Sequence, residues 1–233
     1  MKLTQDLIDF IETVVKTGQS VNIDNVIIEP DMVRAIDDAR TVVLYQDSDV
    51  PEMPFGSIGL NRISVFLSRL EIAKTQDNFT LDVVVNDGEE YARSIAMKGT
   101  GLKVDYRCAN PTTIQAPRQI NDNLVYRIQL NAEAVSLLQK GQVAMGSETV
   151  TIVNDDGVSF ELTDVNSDAF KHTFAPDVEL LDEDAPASFT HRYPAKTLLA
   201  LFKQNPDGHF DIGEKGILNI TVNGLDIYVL PQV

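Results

Sequence analysis

The sequence predicts an α+β protein built from two tandem domains that share one layout. Three observations predict it. Apolar residues recur at helical spacing in four stretches, and short Val- and Ile-rich runs bounded by turn residues fill the intervals. The order helix, strands, helix, strands then occurs twice, with a period of about 120–130 residues. Between the copies, residues 109–123 (ANPTTIQAPRQINDN) carry two prolines, several amides and little apolar content, which is the composition of an extended connector. The expected boundaries are domains at 1–109 and 124–233 with the connector at 110–123.

Each element has its own signal. In residues 3–17, Leu3, Leu7, Ile8, Ile11, Val14 and Val15 share one helical face, Asp6, Asp9, Glu12 and Lys16 fall on the other, and Gly18 is expected to stop the helix. Strands are expected at Val21–Ile28, Met32–Ile36 and Thr41–Tyr45, with a turn at Asp37-Asp38. Residues 60–74 read as a second helix through Leu60, Ile63, Phe66, Leu67 and Leu70. Phe79–Val85, Tyr91–Met97 and Leu102–Cys108 follow as strands, separated by Asn86-Asp87-Gly88 and Gly99-Thr100-Gly101. In the second copy a helix is expected over 131–143 with Asn131 as N-cap. Thr149–Val153 and Val158–Leu162 flank the turn Asp155-Asp156-Gly157. Phe170–Phe174 and Ser188–Tyr193 lie on either side of an acidic loop at Asp182–Asp184. A last helix spans 194–205 with Pro194 in its first turn, before strands at Phe210–Ile212, Ile217–Val222 and Leu225–Leu230, the final two joined by Asn223-Gly224.

Composition excludes several function classes. The 233 residues include 19 basic and 35 acidic side chains, a net charge of −16, with one Cys. A single Cys excludes a disulfide framework and a multi-thiolate zinc site. No apolar run approaches the ~20 residues of a membrane span, and MKLTQDLIDF carries acids where a signal peptide needs an unbroken apolar stretch. A soluble, cytoplasmic protein with no membrane partner is expected. An open nucleic-acid-binding surface is also disfavoured, because so acidic a chain repels a polyanion as a whole.

The bases are not spread evenly. The four helical windows, with Lys2 added, hold eight bases (Lys2, Lys16, Arg62, Arg69, Lys74, Lys140, Lys196 and Lys203) and five acids, leaving 11 bases and 30 acids elsewhere. The windows therefore stand at +3 and the remainder at −19. The second helix of each copy carries a basic pair seven apart, Arg62 with Arg69 and Lys196 with Lys203. A solvated helix face explains any one of these bases, but not the segregation.

The two tandem copies, the connector and the termini resemble the DNA polymerase sliding clamps. The ending LDIYVLPQV is similar to the last strand of proliferating cell nuclear antigen, and the opening MKLTQDLIDFIETV resembles the first helix of the clamps of T4-like bacteriophages. The resemblance implies clamp-type domains with helices on one face of antiparallel sheets, closing on oligomerisation into a homotrimeric ring. It implies a non-enzymatic, cofactor-free processivity factor that encircles double-stranded DNA without sequence preference, tethers a DNA polymerase and is opened by a clamp loader. The DNA-facing positions would be Lys16, Arg62, Arg69, Lys74, Lys140, Lys196 and Lys203. The partner-binding positions would be Tyr228, Leu230 and Pro231, with Ile114 or Ile120 on the connector. A duplicated structural protein of a phage virion is the competing expectation, and a virion wall has no reason to concentrate bases on its helices.

No catalytic pattern accompanies these features. His172, His191 and His209 are scattered, and Cys108 ends an apolar alternation as a small hydrophobe would. Gly99-Thr100-Gly101 and Gly213-Glu214-Lys215-Gly216 lack the spacing of nucleotide-binding loops and read as hairpin turns. No metal or cofactor is implied; the acid pairs read as turns.

Overall fold

The computed structural model describes residues 1–117, 120–155, 157–173, 178–183 and 185–232. Asp156, Phe174 and Asp184, which belong to an expected turn, strand and acidic loop, lie outside them. The chain divides into two compact units, Met1–Gln119 and Ile120–Val233.

In the first unit, helix α1 (Gln5–Ser20) starts where the Thr4 hydroxyl accepts from the Leu7 amide at 3.4 Å. Leu7, Ile8, Ile11, Val14 and Val15 are buried along its inner face. Gly18 does not end the helix as expected. It lies within α1, where an added Cβ would come within 3.3 Å of Ile63 Cδ1, so its bare backbone lets the next helix approach. Strands β1 (Asn25–Ile28), β2 (Val33–Ile36), β3 (Val42–Gln46) and β4 (Ile58–Asn61) form an antiparallel sheet in the order β4-β1-β2-β3. The single helix expected over 60–74 is corrected here. The chain finishes β4 at Asn61, turns at Arg62 with φ of 56°, and begins α2 (Ile63–Lys74) only afterwards. A left-handed Arg62 cannot continue a right-handed helix. Helix α2 packs on α1 and against the second sheet of the unit, β5 (Thr80–Val84), β6 (Ser94–Gly99) and β7 (Leu102–Arg107). Phe66 of α2 meets Tyr106 of β7 edge-on at 5.1 Å, and the Tyr106 hydroxyl donates to the carbonyl of Asn61. Residues 1–3 run beside β5, the Leu3 amide donating to Leu81 and the Val83 amide to Met1. The connector is not wholly extended: Pro111–Thr113 form one 3₁₀ turn capped by Asn110, and Ala109 bridges Gly59 of β4.

The second unit opens on a strand absent from the sequence expectation, β8 (Leu124–Gln129). Helix α3 (Ala132–Met145) is capped by Asn131, whose side chain accepts from the Ala134 amide at 2.9 Å, and ends at a left-handed Gly146. Strands β9 (Thr149–Asn154), β10 (Val158–Thr163), β11 (Ala169–Thr173), β12 (Val178–Leu180) and β13 (Phe189–Pro194) follow. Helix α4 (Ala195–Gln204) leads to β14 (His209–Gly213), β15 (Leu218–Val222) and β16 (Leu225–Val229). One antiparallel sheet runs β11-β10-β9-β13 and the other β12-β8-β14-β15-β16. Asn223 and Gly224, with φ of 54° and 77°, make the tight turn between β15 and β16 that their sequence requires.

The duplication is thus topological. The set β9, β10, β11, β13 repeats the pairing of β1, β2, β3, β4, and β14–β16 repeat β5–β7. Strand β8 lies beside β14 as residues 1–3 lie beside β5. Helix α4 is seated by Phe202, stacked on Phe210 of β14 at 5.1 Å and edge-on to Phe160 of β10 at 6.0 Å, so one ring ties a helix to both sheets.

Candidate nucleic-acid interface

The bases of the helices differ in what they touch. Lys16 on α1 and Lys74 at the end of α2 both pair with Glu12, at 2.7 and 2.6 Å. The Glu12 side chain is only 12% exposed, against 55% for Lys16 and 38% for Lys74. Partial burial opposes ionisation of Glu12, but the hydrogen bonds from Lys16 and Lys74 outweigh it and hold its carboxyl below the usual range. Arg69 is half-buried, donates from Nη1 to the carbonyl of Asp105 at 3.1 Å, and lies over the Tyr106 ring at 5.9 Å. Arg62 is exposed in its left-handed turn, outside α2.

In the second unit, Lys140 on α3 and Lys196 and Lys203 on α4 are exposed and make no ion pair among the described residues. Lys196 and Lys203 stand opposite the buried Leu198, Leu201 and Phe202. Lys203 sits in the last turn, where the helix dipole favours it, but Lys196 is the second residue of α4, where the dipole opposes a cation. Helix stability therefore does not explain Lys196. The seven-residue basic pairs do not occupy equivalent places: Arg62 precedes its helix, whereas Lys196 lies inside its own. The helices themselves hold three bases and four acids in α1 and α2, and three bases and one acid in α3 and α4. The excess expected over four helical windows is smaller, because Lys2 and Arg62 lie outside the helices, and it is concentrated in the second unit.

The partner positions fall as follows. On β16, Leu225, Ile227 and Val229 are buried, while Asp226 and Tyr228 alternate with them on the other face and Leu230 continues that alternation, half-buried. Tyr228 pairs across to Asn219, Asn219 to Asp211 and Asp211 to Arg127, so Tyr228 belongs to a row of polar residues on the face of the sheet away from Leu225, Ile227 and Val229. Arg127 and Asp211 are bidentate in that row, at 2.9 Å each. Pro231 and Gln232 cross to β13, the Gln232 amide donating to Arg192 at 2.7 Å, and line a cleft of about 270 Å³ with Thr151, Thr190 and His191. In the first unit, Ile114 lies half-buried near Gly59, where an added Cβ would come within 3.1 Å of Ile114 Cδ1. Ile120 is half-buried in the second unit.

Solved structures share this fold over nearly the whole chain, two of them as follows. Proliferating cellular nuclear antigen from Entamoeba histolytica superposes with a TM-score of 0.64 at 16% identity, covering 96% of this chain and 95% of that one. The proliferating cell nuclear antigen of Thermococcus kodakaraensis superposes with a TM-score of 0.61 at 15% identity, covering 97% of each. The chain has the sliding-clamp fold. No protein-family model matches it, and no curated protein matches it in sequence.

Within this clamp fold the residues that invited a chemical reading have structural places. Cys108 is 8% exposed, and burial pushes its thiol up to about 12. His191 stacks on Phe189 at 5.3 Å, and burial lowers its pKa. Gly99–Gly101 and Gly213–Gly216 connect paired strands β6–β7 and β14–β15. Asp37 accepts from the amides of Thr41 and Val42 at 2.7 Å each and closes a turn. Among the described residues, no group of three or more His, Cys, Asp and Glu is placed to hold a metal ion, and no helix is long and apolar enough to cross a membrane.

Some features of the interface have no local signal. The Glu12–Lys74 pair joins residues 62 apart in sequence. Ile72 on α2 and Val143 on α3 are 57% and 78% exposed, large apolar side chains on the outward faces of their helices.

Proposed function

We propose that the protein is a sliding clamp, a non-enzymatic ring that encircles double-stranded DNA and tethers a DNA polymerase as its processivity factor. The observation that carries this reading is the distribution of charge on the clamp fold. A chain of net charge −16 keeps lysines on helices α3 and α4 that make no ion pair among the described residues. Helices lining a hole would present those cations to the phosphates, while the acidic remainder discourages binding elsewhere. Contacts to phosphate hold no sequence information, so the ring slides, and enclosure rather than affinity keeps it on the duplex. A tethered polymerase then works at high effective concentration.

The ring is a head-to-tail homotrimer, a heterologous contact closed by rotation. Among the described residues, strands β7 and β11 end their sheets within their units, and such edges are templates for pairing. Exposed Ile72 and Val143 on the helices above these sheets supply apolar contact area. Residues 110–123 act as the connector between domains 1–109 and 124–233, and Tyr228, Leu230, Pro231 and Ile114 receive the polymerase and the clamp loader. The likeness of the first helix to T4-like phage clamps supports a phage setting.

Two coupled measurements test this. Sedimentation at micromolar concentration is expected to give trimers, and primer extension on primed circular DNA with the cognate polymerase and loader is expected to give longer products when the protein is added. A stable monomer together with unchanged product length would refute the assignment.

A further inference from the structure

The seven bases expected to face DNA are not equally available to it, and this difference rests on the clamp reading while going past it. Lys16 and Lys74 share one carboxylate, Glu12, and Glu71 adds a second negative charge on the same helix pair. A phosphate approaching Lys16 therefore meets the sum of two cations and two anions. Screening does not separate them: the pairs are under 3 Å apart, far inside the Debye length of about 10 Å at 0.1 M salt. Arg69 commits one guanidinium nitrogen to Asp105 and its face to Tyr106. Asp6 and Asp9, exposed near the start of α1, add further repulsion.

Helices α3 and α4 present the opposite case. Their only acid is Glu133, and α4 has none. The neighbouring acids have other tasks. Asp207 accepts from the Ala132 amide at 3.0 Å, and Glu148 meets the start of α4 through its carbonyl, without pairing to Lys196. Lys196 also stands where the helix dipole disfavours it, and its charge has no ion-pair partner among the described residues.

We infer that the second unit carries the grip on DNA through Lys140, Lys196 and Lys203, and that Glu12 is an internal counter-ion that withholds Lys16 and Lys74 from the phosphates. A ring built this way touches the duplex in alternate domains, three strongly and three weakly. Glu12 thereby sets the drag on sliding: removing its charge frees two lysines that the phosphates can then engage.

The test is the salt dependence of binding to a 30-bp duplex of arbitrary sequence, read by fluorescence anisotropy on the full chain and its variants. Each phosphate that a variant no longer neutralises should lower the slope of log K against log[salt] by about 0.9. The variant K140A/K196A/K203A is expected to lose at least tenfold in affinity at about 50 mM salt and most of the slope. The variant E12Q/K16A/K74A, which removes both lysines together with the carboxylate between them, should lose far less, staying within about threefold of wild type. E12Q, which keeps the size of the side chain, should bind more tightly and raise the slope by about one or more. Circular dichroism and sedimentation establish that each variant is folded and assembled as wild type. Equal losses in the two lysine variants, or an E12Q variant that binds as wild type, would overturn the inference while leaving the clamp assignment standing. A wild-type protein that shows no binding even at about 25 mM salt would overturn the inference alone, because retention by enclosure does not require affinity for an open-ended duplex.

Discussion

Replacing Phe202 with Ala is expected to destabilise the second unit by about 3–5 kcal/mol, the usual cost of removing a fully buried aromatic side chain. Phe202 has no exposed surface, and its ring is the joint between α4, β14 and β10. Packing around it is two-sided, so the surroundings cannot collapse into the gap without moving a sheet. Against a total stability of roughly 5–15 kcal/mol for a domain, this is a large share. The consequence for function follows from position. Lys196 and Lys203 ride on the helix that Phe202 anchors, so DNA binding should fail with the fold at temperatures wild type tolerates. Urea unfolding followed by circular dichroism checks this, and a loss under about 1 kcal/mol would show that α4 is held by something else.

The double variant Y228A/L230A is expected to behave in the opposite way, keeping the fold and losing the partner. Both side chains are half-buried on the outer face of the last strand, while Leu225, Ile227 and Val229 hold the core. Loss of an aromatic anchor from a protein interface typically costs about 2 kcal/mol, roughly 30-fold in affinity. Polymerase stimulation should fall by at least tenfold at limiting clamp concentration, with sedimentation and DNA binding unchanged. Undiminished stimulation would remove these residues from the partner site; unfolding would make them core residues after all.

How much of this is legible in the sequence depends on how local each cause is. Helix α1 and helix α4 show themselves because their apolar stripes are narrow and regular, as Leu198, Leu201 and Phe202 illustrate. The Asn223-Gly224 turn is legible because only a few residues accept two left-handed positions in a row. Strand β4 merges with α2 in the pattern because Leu60 and Ile63 satisfy helical spacing equally well, and nothing about an arginine announces the positive φ of Arg62. Strand β8 is hidden because its alternation follows directly on a connector rich in amides, and β12 because its three residues are all exposed. In the candidate site, the identity of the bases can be read but their availability cannot. That Glu12 neutralises Lys74 is a tertiary fact, settled only when α1 packs on α2.

The central claim is enclosure, and it is tested most directly with a linear duplex whose ends can be blocked. The protein is threaded onto biotin-ended DNA, streptavidin is added to close both ends, and the complex is washed with about 0.5 M NaCl, where phosphate contacts alone are weak. The protein should remain on the blocked duplex, leave an unblocked one, and be released from the blocked one when the DNA is cut internally. Release by salt at the same rate from blocked and open duplexes would contradict a ring around DNA.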